Sequence, residues 1–232
     1  MGWNVHIPVL QKEVLHYFNP KPNENFIDAT FGEGGHSAKI LEKNRPRGKI
    51  LAIEFDPTLY RIAQLKLKNE KRAPYRNKVS GAGLKKRLIL VNDSYTNVKK
   101  IIHKYKFEPI SGILFDLGLS SWHIEKSERG FSYLRDESLD MRFDPQVGPL
   151  TAQVIVNFWP EEELEKILRE YGEEKFSKRI SQKITEERKR EQIKTTSQLV
   201  EIIEKAIPGR YQLLLGKPHF AARTFQALRI AV

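Results

Sequence analysis

The 232 residues carry 40 Lys and Arg against 29 Asp and Glu, a formal net charge of +11, with 40% hydrophobic residues and no cysteine. Without cysteine there are no disulfides, no thiolate-ligated zinc, no iron–sulfur cluster and no thiolate nucleophile. No apolar run reaches the roughly 20 residues of a bilayer span, and Met1 to Leu10 lack the features of a secretion signal, so a soluble, cytoplasmic, globular protein is expected.

In chain order, the first half alternates strand and helix patterns. Glu24 to Thr30 reads as a buried strand and Ser37 to Asn44 as the helix after it; Gly48 to Phe55 is a second strand, followed by a helix from Pro57 to Glu70. Lys71 to Lys86 is basic, carries Pro74, Gly81 and Gly83, and reads as a loop. Arg87 to Val91 is a third strand, Val98 to Tyr105 a helix, and Ser111 to Leu117 a fourth strand. Strands separated by helices require crossover connections, which predicts an α/β fold with a parallel sheet covered on both faces.

The pattern changes after Ser120. Trp122 to Pro149 is irregular, and only helix signals follow: Pro160 to Tyr171, stopped by Gly172, then Glu173 to Arg190, then a helix capped at Thr196–Ser197 and running to Ala206. Glu161 to Lys194 holds ten acids and ten bases, the balance of a solvated helix surface. From Lys39 to Lys106, by contrast, 19 basic residues face 5 acids, a local net of +14 against −3 for the rest of the chain. That asymmetry fits a polyanionic partner and equally fits a solubilising surface.

In open α/β sheets ligands bind beyond the carboxyl ends of the strands. The first strand ends in Asp28-Ala29-Thr30-Phe31-Gly32-Glu33-Gly34-Gly35-His36, a turn whose glycines admit a close backbone approach ahead of a helix N-terminus. It lacks the third glycine of a dinucleotide fingerprint. The second strand ends in Glu54-Phe55-Asp56, about 20 residues on, where one acid can take ribose hydroxyls while the other caps the next helix. Asn92-Asp93-Ser94-Tyr95 follows the third strand and Asp116 ends the fourth. Glycine-rich, acidic, Asx and acidic strand ends describe an adenosyl-type ligand better than a dinucleotide, although each is also an ordinary turn residue.

With these residues in view, the chain resembles the 16S ribosomal RNA cytosine-N4 methyltransferase family, also called MraW or RsmH. The resemblance is carried by His6 to Leu10 (HIPVL), Asp28 to His36 (DATFGEGGH), Ile113 to Ser121 (ILFDLGLSS), Glu128 to Phe131 (ERGF), Leu139 to Arg142 (LDMR), Tyr171 to Ile180 (YGEEKFSKRI) and Thr224 to Ile230 (TFQALRI). It implies a Rossmann-like methyltransferase sheet with an inserted helical domain, S-adenosylmethionine as cofactor, and 16S rRNA or the small ribosomal subunit as partner. Carried over by position, cofactor contacts fall on Gly34, Gly35, His36, Glu54, Tyr95, Asp116 and His123; no metal is implied. The family commonly has Asp at the position of Glu54 and often Gln at that of His123. It also continues past TFQALRI with further strands, so the resemblance implies an open edge on the fourth strand here, covered by a partner or second chain.

The expected domains are 1–121 for the first part of the α/β unit, 122–216 for the irregular and helical insertion, and 217–232 for the return to the sheet. Asp116 is the candidate acceptor for the proton of a cytosine amino group. Thiolate-dependent C5 methylation is excluded by composition. A base in folded RNA must leave its stack to react, and Trp122, Phe131, Tyr133 and Phe143 are candidates to stack on it, with Arg129, Arg135 and Arg142 for phosphates; taken singly, the four aromatics read first as packing the junction between sheet and helical insertion. His6 is a site residue or a surface residue. A non-catalytic RNA- or cofactor-binding remnant of the same fold is the alternative, and a nicotinamide oxidoreductase a more distant one.

Overall fold

The computed structural model describes residues 8–68, 86–209 and 219–232. The expected loop, except Lys86, lies outside those residues, as do His6 and Lys217. The contacts divide the chain at Ser120 into two compact units.

The first unit holds α1 (Gln11–Phe18), β1 (Phe26–Asp28), α2 (Gly35–Lys43), β2 (Ile50–Glu54), α3 (Pro57–Lys68), β3 (Leu88–Asn92), a single 3-10 turn at Tyr95–Asn97, α4 (Val98–Tyr105) and β4 (Gly112–Leu114). The strands are all parallel in the order β3-β2-β1-β4. This is the α/β, Rossmann-like methyltransferase sheet that the sequence leads one to expect. Its order reverses between β1 and β4, the switch point outside which ligands bind.

Side-chain alternation along the strands divides the core in two. Phe26, Ile50, Ala52 and Leu88 point to one face and pack with Ile40 and Leu41 of α2 and Ala63 of α3. Ile27, Leu51, Ile53 and Val91 point to the other and pack with Ile101 of α4 and with Phe107. Every residue of β1 and β2 is buried, as a sheet covered on both faces requires.

β1 and β4 are shorter than expected, for a local reason. Past Leu114 the ladder gives way to side-chain bonding: the Thr30 amide donates to Asp28 Oδ1 at 3.3 Å, and the Asp116 amide donates to Thr30 Oγ1 at 2.7 Å. Polar side chains that compete for backbone donors end strands in this way. Among the described residues β4 pairs only with β1, and Ile113, Phe115 and Leu117 along it are exposed.

The second unit contains α5 (Ser121–Lys126), α6 (Ala152–Phe158), α7 (Glu161–Glu170), α8 (Ser177–Glu187), α9 (Thr196–Ala206) and α10 (Ala222–Ala231). α7 packs on α8 and α10, α8 on α9 and α6, and α10 on α6. Ile155, Leu164, Leu168, Ile180, Leu199, Ile203, Phe225 and Leu228 are buried in this unit. The cap of α9 is Thr195, one residue earlier than expected, in a reciprocal capping box with Gln198.

α10 lies in the compact unit that begins at Ser121 and packs there on α6 and α7. The helix contact is close. Gly172, read as a helix stop, is also where α10 crosses, since a β-carbon there would lie 2.6 Å from Arg223 O and 3.2 Å from Ala227 Cβ. Gln226 Nε2 donates to Tyr171 O at 3.1 Å beside it. Gly172→Ala is therefore expected to lower unfolding stability by about 1–3 kcal/mol through overpacking, read as a drop in denaturant midpoint at unchanged slope.

Candidate active site

The site of the first unit is built where β1, β2, β3 and β4 end. Asp28 closes β1 and is fully buried; the Ser37 hydroxyl of α2 donates to its Oδ2 at 2.6 Å. Burial pushes the Asp28 carboxyl above the usual range, opposed by the bonds from Ser37 and Thr30. The chain then turns through Gly32 (φ 55°) and Gly34 (φ 81°), both left-handed, a conformation that costs a glycine nothing. Gly34 is the N-cap of α2, which begins without a side-chain cap, so its first amides point toward the turn rather than to a capping oxygen.

The two acids after β2 have separate tasks. Asp56 is buried and caps α3, its Oδ1 accepting from the Thr58 amide at 2.7 Å and the Leu59 amide at 3.2 Å. Glu54 turns back toward β1: Oε2 accepts from the Gly32 amide and Oε1 from the Asp56 amide, both at 2.8 Å. Its pKa is pushed up to about 7, by burial first and by the neighbouring charges of Asp56 and Asp28, against the two amide bonds. Each oxygen of that carboxylate still has a lone pair to offer a ligand hydroxyl.

After β3, Asp93 Oδ1 accepts from the Ser94 amide at 2.7 Å and from Asn97 Nδ2 at 2.9 Å, which fixes the 3-10 turn and presents Tyr95. The exposed Tyr95 ring meets the exposed Phe115 ring edge-on, 5.8 Å between centroids. Asp116 follows, its side chain 53% exposed, and Oδ2 lies 3.6 Å from Nε2 of the buried His36. His36 Nδ1 is buried with no hydrogen-bond partner.

Gly34, Gly35, His36, Glu54, Tyr95 and Asp116 thus all occupy the carboxyl end of one sheet, around its switch point. Sequence reasoning passed over Asp28, Thr30, Ser37 and Phe115. Phe115 was legible from the apolar alternation Ile113, Phe115, Leu117; the bonds made by Thr30 and Ser37 had no sequence signal of their own.

His123 lies in the second unit, buried among the rings of Trp122, Phe131 and Phe143 at 5.5, 5.3 and 4.8 Å. Several residues considered for RNA contact are used internally there. Phe131 is fully buried, and Arg129 is buried with its Nη1 donating to Arg142 O at 2.9 Å and Phe143 O at 2.6 Å. Arg142 forks onto Asp140, with Nε to Oδ1 at 2.8 Å and Nη2 to Oδ2 at 2.7 Å. Arg135 is exposed but donates to Glu125 O.

A parallel 3-2-1-4 sheet with a left-handed glycine turn, a buried acid one strand over and an exposed carboxylate across the switch point is the α/β arrangement of a Rossmann-like methyltransferase fold. The chain belongs to the MraW methylase family, whose pattern residues 4–232 match. It is 42% identical over 227 residues to a protein of Dehalococcoides mccartyi named ribosomal RNA small subunit methyltransferase H, covering 98% of this chain and 59% of that one. Proteins of the same name from Clostridium botulinum and Dictyoglomus thermophilum are each 40% identical, with 67% and 70% of their lengths covered. The chain thus spans about three fifths to seven tenths of the length of these relatives.

The buried Glu54 has a pH signature. Its folded value near 7 exceeds the ordinary 4.5, so between those values the unfolded chain has lost a proton that the folded chain keeps. Stability therefore falls as pH rises through that window and is level above it. Denaturation at several pH values should show wild type losing up to about 3 kcal/mol relative to Glu54→Gln between pH 4.5 and 7; parallel profiles would mean that Glu54 is already ionised in weak acid.

Proposed function

We propose that this chain is the S-adenosylmethionine-binding and catalytic part of an enzyme that methylates N4 of a cytidine in 16S rRNA, acting on the RNA or the small subunit in the cytoplasm. The observation that carries the reading is the convergence of the glycine turn, Glu54, Tyr95 and Asp116 at one switch point. Family membership and the printed names of the relatives support it. Among the described residues no helix is long and apolar enough to cross a membrane.

The residues fit the cofactor by their chemistry. The amides at the uncapped start of α2 suit its carboxylate, the free lone pairs of Glu54 its ribose hydroxyls, and the exposed Tyr95–Phe115 pair its adenine. When bound, the cofactor supplies a methyl group activated on a sulfonium. The protein's share is alignment and proton removal, because the cytosine amine donates its lone pair into the ring and is a poor nucleophile. Asp116, half-exposed and held through its own amide by Thr30, accepts a hydrogen bond from that amine and then its proton. His123 as a cofactor contact, and the division at 121 and 216, belong to the same reading.

We also propose that the β4 edge is covered in the working protein by further chain or a second copy, since exposed Ile113, Phe115 and Leu117 beside open ladder groups favour association. Light scattering of this chain alone should show self-association, and a monodisperse monomer would speak against it.

Incubation with methyl-labelled S-adenosylmethionine and 16S rRNA or small subunits, followed by nucleoside analysis, should yield N4-methylcytidine. Asp116→Ala should lower the yield at least 100-fold, in the range that general-base groups contribute. No labelled nucleoside from a chain that binds the cofactor would favour the non-catalytic remnant.

A further inference from the structure

The carboxylate assigned to proton removal has a buried imidazole directly behind it. Asp116 opens to solvent with a side-chain exposure of 53%, His36 is only 8% exposed, and Nε2 of His36 stands 3.6 Å from Asp116 Oδ2. The other ring nitrogen, Nδ1, is buried and makes no hydrogen bond. Deeper still is Asp28, fully buried and within electrostatic reach of both His36 and Asp116. Three titratable groups from three elements therefore share one pocket: the end of β1, the first turn of α2 and the segment after β4. Glu54 couples electrostatically to Asp28.

A buried polar atom left unpaired destabilises the fold. Histidine kept at that cost, facing a carboxylate at the mouth of a site, has a use that a cofactor contact alone does not require. Methylation of a neutral amine produces one proton per turnover. With substrate over Asp116, water is kept from the carboxylate, and the proton needs a second place to go.

We propose that His36 is a positioning residue that takes this proton from Asp116, so that Asp116 and His36 form a two-step relay leading inward from the substrate amine. The proposal rests on the methyltransferase reading above. Asp116 takes the N–H proton as the new N–C bond forms and the sulfonium S–C bond breaks, and passes it to His36 Nε2. The ring, neutral with its hydrogen on Nδ1, becomes an imidazolium beside Asp116, whose restored negative charge favours it. Loss of that proton to solvent after product release restores the neutral ring. No atom or electron is left over: amine and sulfonium become methylamine, thioether and one proton.

Two measurements test the proposal. In the ligand-free chain, the ring nitrogens of His36 followed by NMR should titrate with a lower midpoint in Asp116→Asn than in wild type, because the carboxylate 3.6 Å away favours the charged ring. An unchanged midpoint overturns the relay. The methyl-transfer assay is run at saturating S-adenosylmethionine, so that a weakened cofactor contact does not set the rate, on His36→Gln, which keeps a polar group but cannot titrate. Its kcat should fall about tenfold or more and its pH profile should lose a step that wild type shows.

If His36→Gln loses binding while its residual activity keeps the wild-type pH profile, His36 is a cofactor contact and the proposal is wrong. Wild-type kcat in that variant likewise overturns the relay, even with coupled titrations. A wild-type chain that binds the cofactor and transfers no methyl group removes the methyltransferase reading itself, and is told apart from the other failures by the silence of every variant.

Discussion

One carboxylate ties the ligand end of the sheet together. Glu54, at the tip of β2, accepts the Gly32 amide from the turn after β1 and the Asp56 amide from the entry to α3, each at 2.8 Å. It joins two strand tips and a helix start through bonds that the ladder does not supply. Its burial raises the cost of the charge, and the two amide bonds oppose that rise. The turn is thereby held in its left-handed form before any ligand arrives, the kind of preorganisation that lowers the cost of binding.

Much of this arrangement was legible in the sequence because it depends on period and spacing. Alternation along ENFIDAT and GKILAIEF placed two buried strands, and the distance from the glycines to Glu54 placed an acid beside the turn. The division of labour between Glu54 and Asp56 was not legible, since either residue type can cap a helix or meet a ribose. Geometry decided it: Asp56, immediately before Pro57, has the short reach of a cap, whereas Glu54 has the extra methylene needed to cross to Gly32. Strand ends were overestimated because Thr30 and Asp28 take backbone amides that the pattern assigns to a ladder.

The second unit was less legible. Gln11–Phe18 in the first unit and Ala152–Phe158 in the second had no counterpart among the expected helices. The arginines of Trp122 to Phe143 read as candidates for RNA phosphates. In the structure Arg129 and Arg142 bind carbonyls and Asp140, and thereby give an irregular segment the internal bonds that a helix or strand would supply from its backbone. Charge on a sequence reports composition, not whether a guanidinium faces solvent.

The central claim is that the carboxyl ends of β1 to β4 form one adenosyl-ligand site. Amide NMR of the labelled chain titrated with S-adenosylhomocysteine tests it directly. Saturable shifts should concentrate at Gly32 to His36, Glu54 to Asp56, Tyr95 and Phe115 to Asp116. Shifts centred elsewhere in the chain, or none from a folded protein at millimolar ligand, would contradict it.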